Sequence, residues 1–131
     1  MYLLDINICI YAINGGHRNL INHLLSVPPD EICVSAITLS ELEYGAEKSN
    51  WGERTRQTVN AFLANFEILP FSENDAIVLG RIRGMLEKEG TPIGLLDAMI
   101  GAQGLANNLT VVTHNTREFK RIPSLAVEDW V

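Results

Sequence analysis

The chain has 131 residues, of which 47% are apolar and 20% are charged, as is usual for a soluble globular protein. This length predicts one domain over residues 1–131 with a sizeable core. No apolar run approaches the ~20 residues that cross a bilayer, and no basic stretch precedes an apolar run at the N-terminus. We therefore expect a cytoplasmic protein without membrane association. The net charge of −6 argues against a general nucleic-acid binder.

Short apolar runs alternate with amphipathic segments along the chain. Strands are predicted at residues 1–4, 31–35, 68–71 and 109–113, with a last edge strand within 125–131. Helices are predicted over 8–12 with Asn7 as the cap, and over 20–25, 37–47, 51–66, 73–89 and 95–105. This alternation indicates an α/β sandwich, with helices on both sides of a mainly parallel sheet of four to five strands.

The cysteines and histidines do not form a metal-binding pattern. Cys9 and Cys33 lie inside apolar segments, and we interpret them as reduced core residues. His17 and His23 are expected at solvated positions. His114 is interpreted as structural.

Three carboxylates interrupt segments that are otherwise free of charge. With histidine counted as neutral, Asp5 is the only charge in residues 1–17 and Asp97 the only charge in residues 90–116, while Glu41 is the first charge after Glu31. An ionised carboxylate in apolar surroundings costs several kcal/mol unless it is paired or binds a cation. A shared ion would satisfy all three, and hard oxygen ligands favour Mg²⁺ or Mn²⁺.

The predicted positions of these acids suggest one site. Ligands of open α/β sheets bind beyond the carboxyl ends of the strands. Asp5 directly follows the first strand, Asn115 follows the strand at 109–113, and Asp97 lies in the first turn of a helix. We expect these three side chains at the same edge of the sheet.

Other interpretations remain open from the residues alone. Asp5 is also suited to a turn or a helix cap, and Asp97 to the positive end of a helix dipole. Asn115 alone would be a turn residue. Glu41 and Glu43 flank the same apolar stripe, so helical periodicity does not choose between them.

Four segments, taken in order, closely resemble VapC-type toxins, the PIN-domain ribonucleases of bacterial toxin–antitoxin pairs. They are Leu4-Asp5-Ile6-Asn7, Thr38–Leu42 with Tyr44–Glu47, Gly90–Gly94 followed by Asp97, and Thr113–Phe119. The ending Glu128-Asp129-Trp130 fits the same family. The resemblance covers residues 1–131 and implies a PIN-like fold.

The resemblance assigns roles to the acidic residues. It implies that Asp5, Glu41 and Asp97 are the catalytic, metal-binding acids, which selects Glu41 over Glu43. Asn115 falls where many PIN domains carry a fourth acid, so it would support the site without adding charge.

The neighbouring positions both match the family and depart from it. Asn7 matches the residue that usually orients the first aspartate, and Thr113 would also support the site. Ile6 replaces a common threonine, so a hydroxyl near the metal is lost. Leu96 replaces a tyrosine found in close relatives, which affects a substrate or partner contact.

The implied activity is Mg²⁺- or Mn²⁺-dependent hydrolysis of RNA phosphodiesters by a toxin. Arg117, Lys120 and Arg121 would hold the RNA backbone. The resemblance implies a tRNA substrate, initiator tRNA being the suggested case. It also implies a homodimer and a cognate antitoxin that inserts a basic or aromatic segment into the acidic groove.

Two alternatives come from other classes of protein. A haloacid-dehalogenase-like phosphatase would use Asp5 as a nucleophile, but it needs a second acid where this chain has Asn7. A catalytically inactive PIN-like module would act only through its antitoxin, and Ile6 keeps this alternative open.

Overall fold

A five-stranded, fully parallel sheet in the order β3-β2-β1-β4-β5 organises the computed structural model, which describes residues 1–131. The strands are β1 (Tyr2–Leu4), β2 (Ile32–Ser35), β3 (Glu67–Leu69), β4 (Thr110–Val112) and β5 (Val127–Glu128). The helices are α1 (Ile6–Asn14), α2 (Arg18–Ser26), α3 (Ala36–Lys48), α4 (Gly52–Leu63), α5 (Glu73–Lys88), α6 (Leu95–Ala106) and α7 (Thr116–Phe119). None of these helices has the length and apolar character needed to cross a membrane.

The strand β1 lies at the centre of the sheet and sets its register. Leu4 is level with Val34 of β2 and Val112 of β4, so these three strands end together at one edge. The predicted α/β sandwich is confirmed, and all five strands are parallel.

The core has a layer on each face of the sheet because successive strand residues point to opposite sides. Leu4, Val34 and Val112 join one cluster with residues of α1, α3 and α4. Leu3, Cys33 and Val111 join another cluster that includes residues of α6 and α7. The two cysteines are buried and form no disulfide, as expected.

The start of α1 differs from the prediction. Asp5 is its N-cap, and the Asp5 carboxylate accepts a hydrogen bond of 2.8 Å from the backbone N–H of Ile8. The prediction that Asn7 caps this helix is wrong, since Asn7 lies inside the first turn. Both residue types are good caps, but the N–H of Asp5 is bonded to Val112 in β4, which fixes the end of the strand at this residue.

Two other boundaries also move. The helix α4 ends at Leu63 rather than at residue 66, and the Asn65 side-chain amide donates to the carbonyls of Ala61 and Phe62. The strand β3 ends at Leu69 rather than at residue 71, because Pro70 has no N–H to extend the ladder. The four-residue helix α7 was not predicted.

Gly104 allows α6 to lie close to β4, and its replacement by alanine will destabilise the protein. A Cβ at Gly104 would lie 2.6 Å from Cγ2 of Val111 and 3.3 Å from Cδ1 of Leu125. Overpacking costs about 1–3 kcal/mol, which exceeds the gain of about 1 kcal/mol in helix propensity. Urea unfolding measures the change.

Gly80 in α5 supplies the matched control, since a Cβ there meets nothing within 4 Å. Gly80→Ala should stabilise the protein by up to about 1 kcal/mol. Equal stability of the two alanine variants would show that the contact between α6 and β4 is not tight.

Candidate active site

Three helices begin beside the carboxyl ends of β1 and β4, and Asp5 lies where they meet. Its backbone N–H donates to the carbonyl of Val112 at 3.0 Å, and its carboxylate caps α1. Asp5 is only 4% exposed. The position of Asp5 is therefore fixed by a backbone hydrogen bond to β4 and a side-chain hydrogen bond to the first turn of α1.

Asp97 and Asn115 approach the same edge from α6 and α7. Asp97 is partly exposed in the first turn of α6, and Asn115 is the N-cap of α7. The Asn115 amide Nδ2 lies 3.4 Å from Oδ2 of Asp97, and the Asn115 backbone N–H donates to the Thr113 hydroxyl at 2.9 Å. The structure thus brings Asn115 against Asp97.

Burial makes the charge of Asp5 costly. Loss of solvent raises its pKa, hydrogen bonds from Thr113 and from the Ile8 N–H lower it, and the charge of Asp129 raises it further. None of the salt bridges in the molecule involves Asp5 or Asp97. The Asp5 charge is stabilised by dipoles and lacks a direct cationic partner.

Asp97 shares its surroundings with two other carboxyl groups. Burial raises the pKa of Asp97 to about 6, with further contributions from the charge of Asp5 and from a hydrogen bond and charge of Glu118. The negative charges of Asp5 and Glu118 therefore oppose ionisation of Asp97, and a bound cation would offset this effect.

Glu118 was missed by the sequence analysis. It lies in the first turn of α7, three residues after Asn115, and it hydrogen-bonds to Asp97. Asp5, Asp97 and Glu118 are here called the acidic edge. No local signal could have found it, because α7 has only four residues and its approach to α6 is a tertiary contact.

Glu41 lies on α3 and makes no hydrogen bond or salt bridge to the acidic edge. Its side chain is partly buried beside a cavity of about 290 Å³ between α1, α3 and α4. No three His, Cys, Asp or Glu side chains lie close enough together to hold an ion. Asp5 and Asp97 influence each other electrostatically, and the place of Glu41 in the site stays a prediction.

Glu43, the alternative to Glu41, is occupied by an ion pair. Its Oε2 lies 3.0 Å from Nε of Arg56, whose guanidinium also binds Glu47 and Glu53 at 3.0 Å. Glu43 thus belongs to a surface network that joins α3 to α4.

The expected supporting residues divide into two groups. Thr113 is fully buried and holds both Asp5 and the N–H of Asn115. Asn7 is exposed, and the hydrogen bonds that fix the Asp5 carboxylate come from Ile8 and Thr113. Ile6 occupies the first position of α1.

The basic residues after β4 are not equivalent. Arg117 and Lys120 are exposed on α7 and at its end. Arg121 donates from Nη1 to the Pro92 carbonyl at 2.9 Å and so ties down the loop before α6. Arg117 and Lys120 are the two cations of this segment that remain available to a ligand.

The chemistry of the donors fits a hard divalent cation. Asp5 and Asp97 offer carboxylate oxygens, and Asn115 adds an amide beside Asp97, which are the kinds of ligand that Mg²⁺ and Mn²⁺ prefer. The pKa values of Asp5 and Asp97 are raised, so a cation bound between these carboxylates would favour their ionised forms. Asp5 and Asp97 are the residues best placed to hold such an ion.

The Asp97 carboxyl will make the metal-free protein less stable as the pH rises from about 4 to about 6. Its pKa is about 6 in the folded protein, against an ordinary value of 3.8. The folded state therefore binds the Asp97 proton more tightly than the unfolded state does. This contribution to the free energy of unfolding is complete below about pH 3.8 and is lost as the pH rises through about 6.

Urea unfolding in EDTA, for wild type and Asp97→Asn, checks this expectation. The difference in unfolding free energy between them, wild type minus variant, should fall across that pH interval and then level off. A difference that does not vary with pH would contradict the raised pKa.

Comparison with known proteins identifies the class. The model of the PIN domain family matches residues 2–125, so the chain has a PIN domain. The chain is 41% identical over 131 residues to Ribonuclease VapC2 of Rickettsia felis, covering 99% of this chain and 98% of that protein. It is also 41% identical over 129 residues to the tRNA(fMet)-specific endonuclease VapC of Salmonella typhimurium, covering 98% and 97% of the two chains.

A solved structure supports the same family assignment. The structure of VapBC2 from Rickettsia felis bound to a promoter DNA fragment matches with a TM-score of 0.93 and 39% identity, covering 99% of this chain and 98% of the other. The chain therefore belongs to the VapC ribonucleases of the PIN domain family. The resemblance inferred from the four sequence segments is confirmed.

Proposed function

We propose that this chain is a Mg²⁺- or Mn²⁺-dependent endoribonuclease and the toxin of a toxin–antitoxin pair. The observation that carries the proposal is the pairing of Asp5 and Asp97, two carboxyls of raised pKa without a cationic partner. They lie at the edge of a fold whose relatives are named as ribonucleases. Buried acids at this position serve metal-assisted phosphodiester hydrolysis better than they serve stability.

Each residue of the site has a separate role in this proposal. Asp5 and Asp97 would hold the ion, and Glu118 would act on it through Asp97, whose pKa it raises. Asn115 and Thr113 keep these groups in place through the contacts at 3.4 and 2.9 Å. When bound, the ion lowers the pKa of water and stabilises charge on the leaving oxygen.

Glu41 and the exposed cations complete the proposed site. Glu41 makes no hydrogen bond with Asp5 or Asp97, and it would act on the ion directly or through water. Arg117 and Lys120 are free to bind the phosphates of the RNA backbone.

The proposed substrate is tRNA, with initiator tRNA cut in the anticodon stem-loop as the specific case. A relative with 41% identity is named as a tRNA(fMet)-specific endonuclease. Purified protein should cut this tRNA with Mg²⁺ or Mn²⁺ and stop when EDTA is added, and sequencing of the RNA ends will give the position. Absence of cleavage with either metal would overturn the proposal.

The proposed partners are a cognate antitoxin and a second copy of the chain. Relatives have been solved as VapBC complexes, one of them from Salmonella typhimurium with DNA. Leu95 and Leu96 are 49% and 38% exposed at the start of α6, which favours a covered surface there. Sedimentation of the purified chain, alone and with its antitoxin, measures both associations.

The alternative is an inactive PIN-like module that acts only by binding its antitoxin. The observation in its favour is that no three potential ligands lie together. Such a module would bind antitoxin and show no metal-dependent cleavage of any RNA. Cleavage that disappears in the Asp97→Asn variant excludes it.

A further inference from the structure

We propose that the rings of Tyr11, His17 and His114, here called the aromatic rim, form a surface on which unpaired bases of the substrate RNA stack. The inference rests on the proposed ribonuclease function and names how the same site binds its substrate. Protein aromatic rings bind single-stranded RNA in this way, because every base offers a flat π-face.

The three rings come from separate parts of the chain and meet on one side of the site. Tyr11 is on α1, His17 lies just before α2, and His114 follows β4. The ring centroids of Tyr11 and His17 are 4.3 Å apart with a tilt of 33°. Those of Tyr11 and His114 are 6.5 Å apart at 69°, an edge-to-face arrangement. The rings therefore form one contiguous cluster, in which Tyr11 and His17 are partly buried and His114 is exposed.

His114 joins the aromatic rim to the acidic edge. It directly precedes Asn115, whose side-chain amide contacts Asp97. Its Nδ1 lies 3.0 Å from Oδ2 of Asp129, which holds the imidazole in one orientation. The His114 side chain is nevertheless 55% exposed, so a face of the ring is open to a ligand.

Because the protein is acidic, its binding of RNA needs a contribution other than charge. The net charge is −6, and the acidic edge itself repels phosphates. Among the three cations that follow β4, Arg121 is bound to the Pro92 carbonyl, which leaves Arg117 and Lys120. A few phosphate contacts give limited affinity, because electrostatic binding grows with the number of phosphates neutralised. Base stacking supplies affinity that does not depend on charge.

Fluorescence anisotropy in EDTA tests the proposal with a labelled single-stranded RNA octamer and an abasic octamer of the same charge. The Asp97→Asn protein is used throughout, so that no cleavage occurs. Tyr11→Leu and His114→Leu should each weaken binding of the normal octamer by about fivefold or more, the effect expected for one stacked base. Binding of the abasic octamer should be weak and the same for all variants.

Conservative and control variants separate stacking from other effects. Tyr11→Phe and His114→Phe keep a ring and should bind the octamer as tightly as the parent protein. Tyr44→Leu removes a tyrosine that is 57% exposed on α3 and lies outside the aromatic rim, and it should leave binding unchanged. Thermal unfolding verifies that each variant is folded. If Tyr11→Leu is not folded, the test relies on His114→Leu, because His114 is exposed.

Unchanged binding in both leucine variants would overturn the proposal, as would equal losses for the normal and abasic octamers. Loss of binding in His114→Phe would show a polar contact of the imidazole and overturn stacking at that residue. The proposed nuclease activity is assayed separately with metal and wild-type protein. If the leucine variants lose binding and the wild-type protein cuts no RNA, the proposed stacking surface stands and the proposed ribonuclease activity is refuted.

Discussion

Replacing Asp5 with asparagine will lower the rate of RNA cleavage by at least about 100-fold and leave the protein folded. Loss of residues that only support a metal ligand already costs about 10–100-fold. Asparagine caps helices as well as aspartate does, so the bond to the Ile8 N–H is retained. The variant also removes a buried charge whose pKa is raised by burial, so stability in EDTA should be equal or higher.

Single-turnover cleavage with Mn²⁺, together with thermal unfolding in EDTA, measures both effects. Asp5→Ala is the matched comparison, since it removes the charge and also the cap, at a cost of about 1 kcal/mol. If Asp5→Asn cleaves at the wild-type rate, Asp5 only caps α1 and has no part in the chemistry.

Replacing Glu118 with glutamine will lower cleavage by about 10–100-fold, the usual effect of losing a group that supports a metal ligand. Glu118 hydrogen-bonds to Asp97 and raises its pKa by hydrogen bonding and charge. The variant should therefore also move the pH dependence of cleavage to lower pH, because the pKa of Asp97 will fall. A residue that only stabilised α7 would not produce that shift.

Glu43→Gln is the control for this measurement. Glu43 is paired with Arg56 on a different surface, and its replacement should leave both the rate and the pH profile unchanged. Equal effects in the two variants would show that the loss reflects general negative charge rather than contact with Asp97.

The sequence identified the parts of the site that stand out from their surroundings. Asp5 and Asp97 are single charges in apolar segments, and the positions of the strands predicted that both lie at one edge. Glu118 lies among the charged residues Arg117 and Lys120, so nothing local marks it. Its proximity to Asp97 depends on how α6 and α7 pack, which no local pattern contains.

The choice between Glu41 and Glu43 shows the same limit. Helical periodicity places both beside one apolar stripe, and only the family resemblance selected Glu41. In the structure, Arg56 of α4 pairs with Glu43, a contact between helices that is set by tertiary packing. Glu41 as a metal ligand stays a prediction.

The fold was predictable at the level of elements, and less so at their ends. Alternating apolar and amphipathic segments gave the class of the fold and every strand. The cap of α1 was misplaced because Asp5 and Asn7 have similar local preferences, and a hydrogen bond to β4 decides between them. The helix α7 has four residues, too few to show a helical period.

Thermal unfolding during a Mn²⁺ titration tests most directly whether Asp5 and Asp97 bind a metal ion together, since it needs no substrate or antitoxin. If the two carboxylates hold the ion, the wild type will be stabilised progressively, by about 2.7 kcal/mol at 100 times the dissociation constant. Asp5→Asn and Asp97→Asn should show little of this gain at the same concentrations. A wild type that Mn²⁺ does not stabilise, or variants stabilised equally, would contradict the metal site.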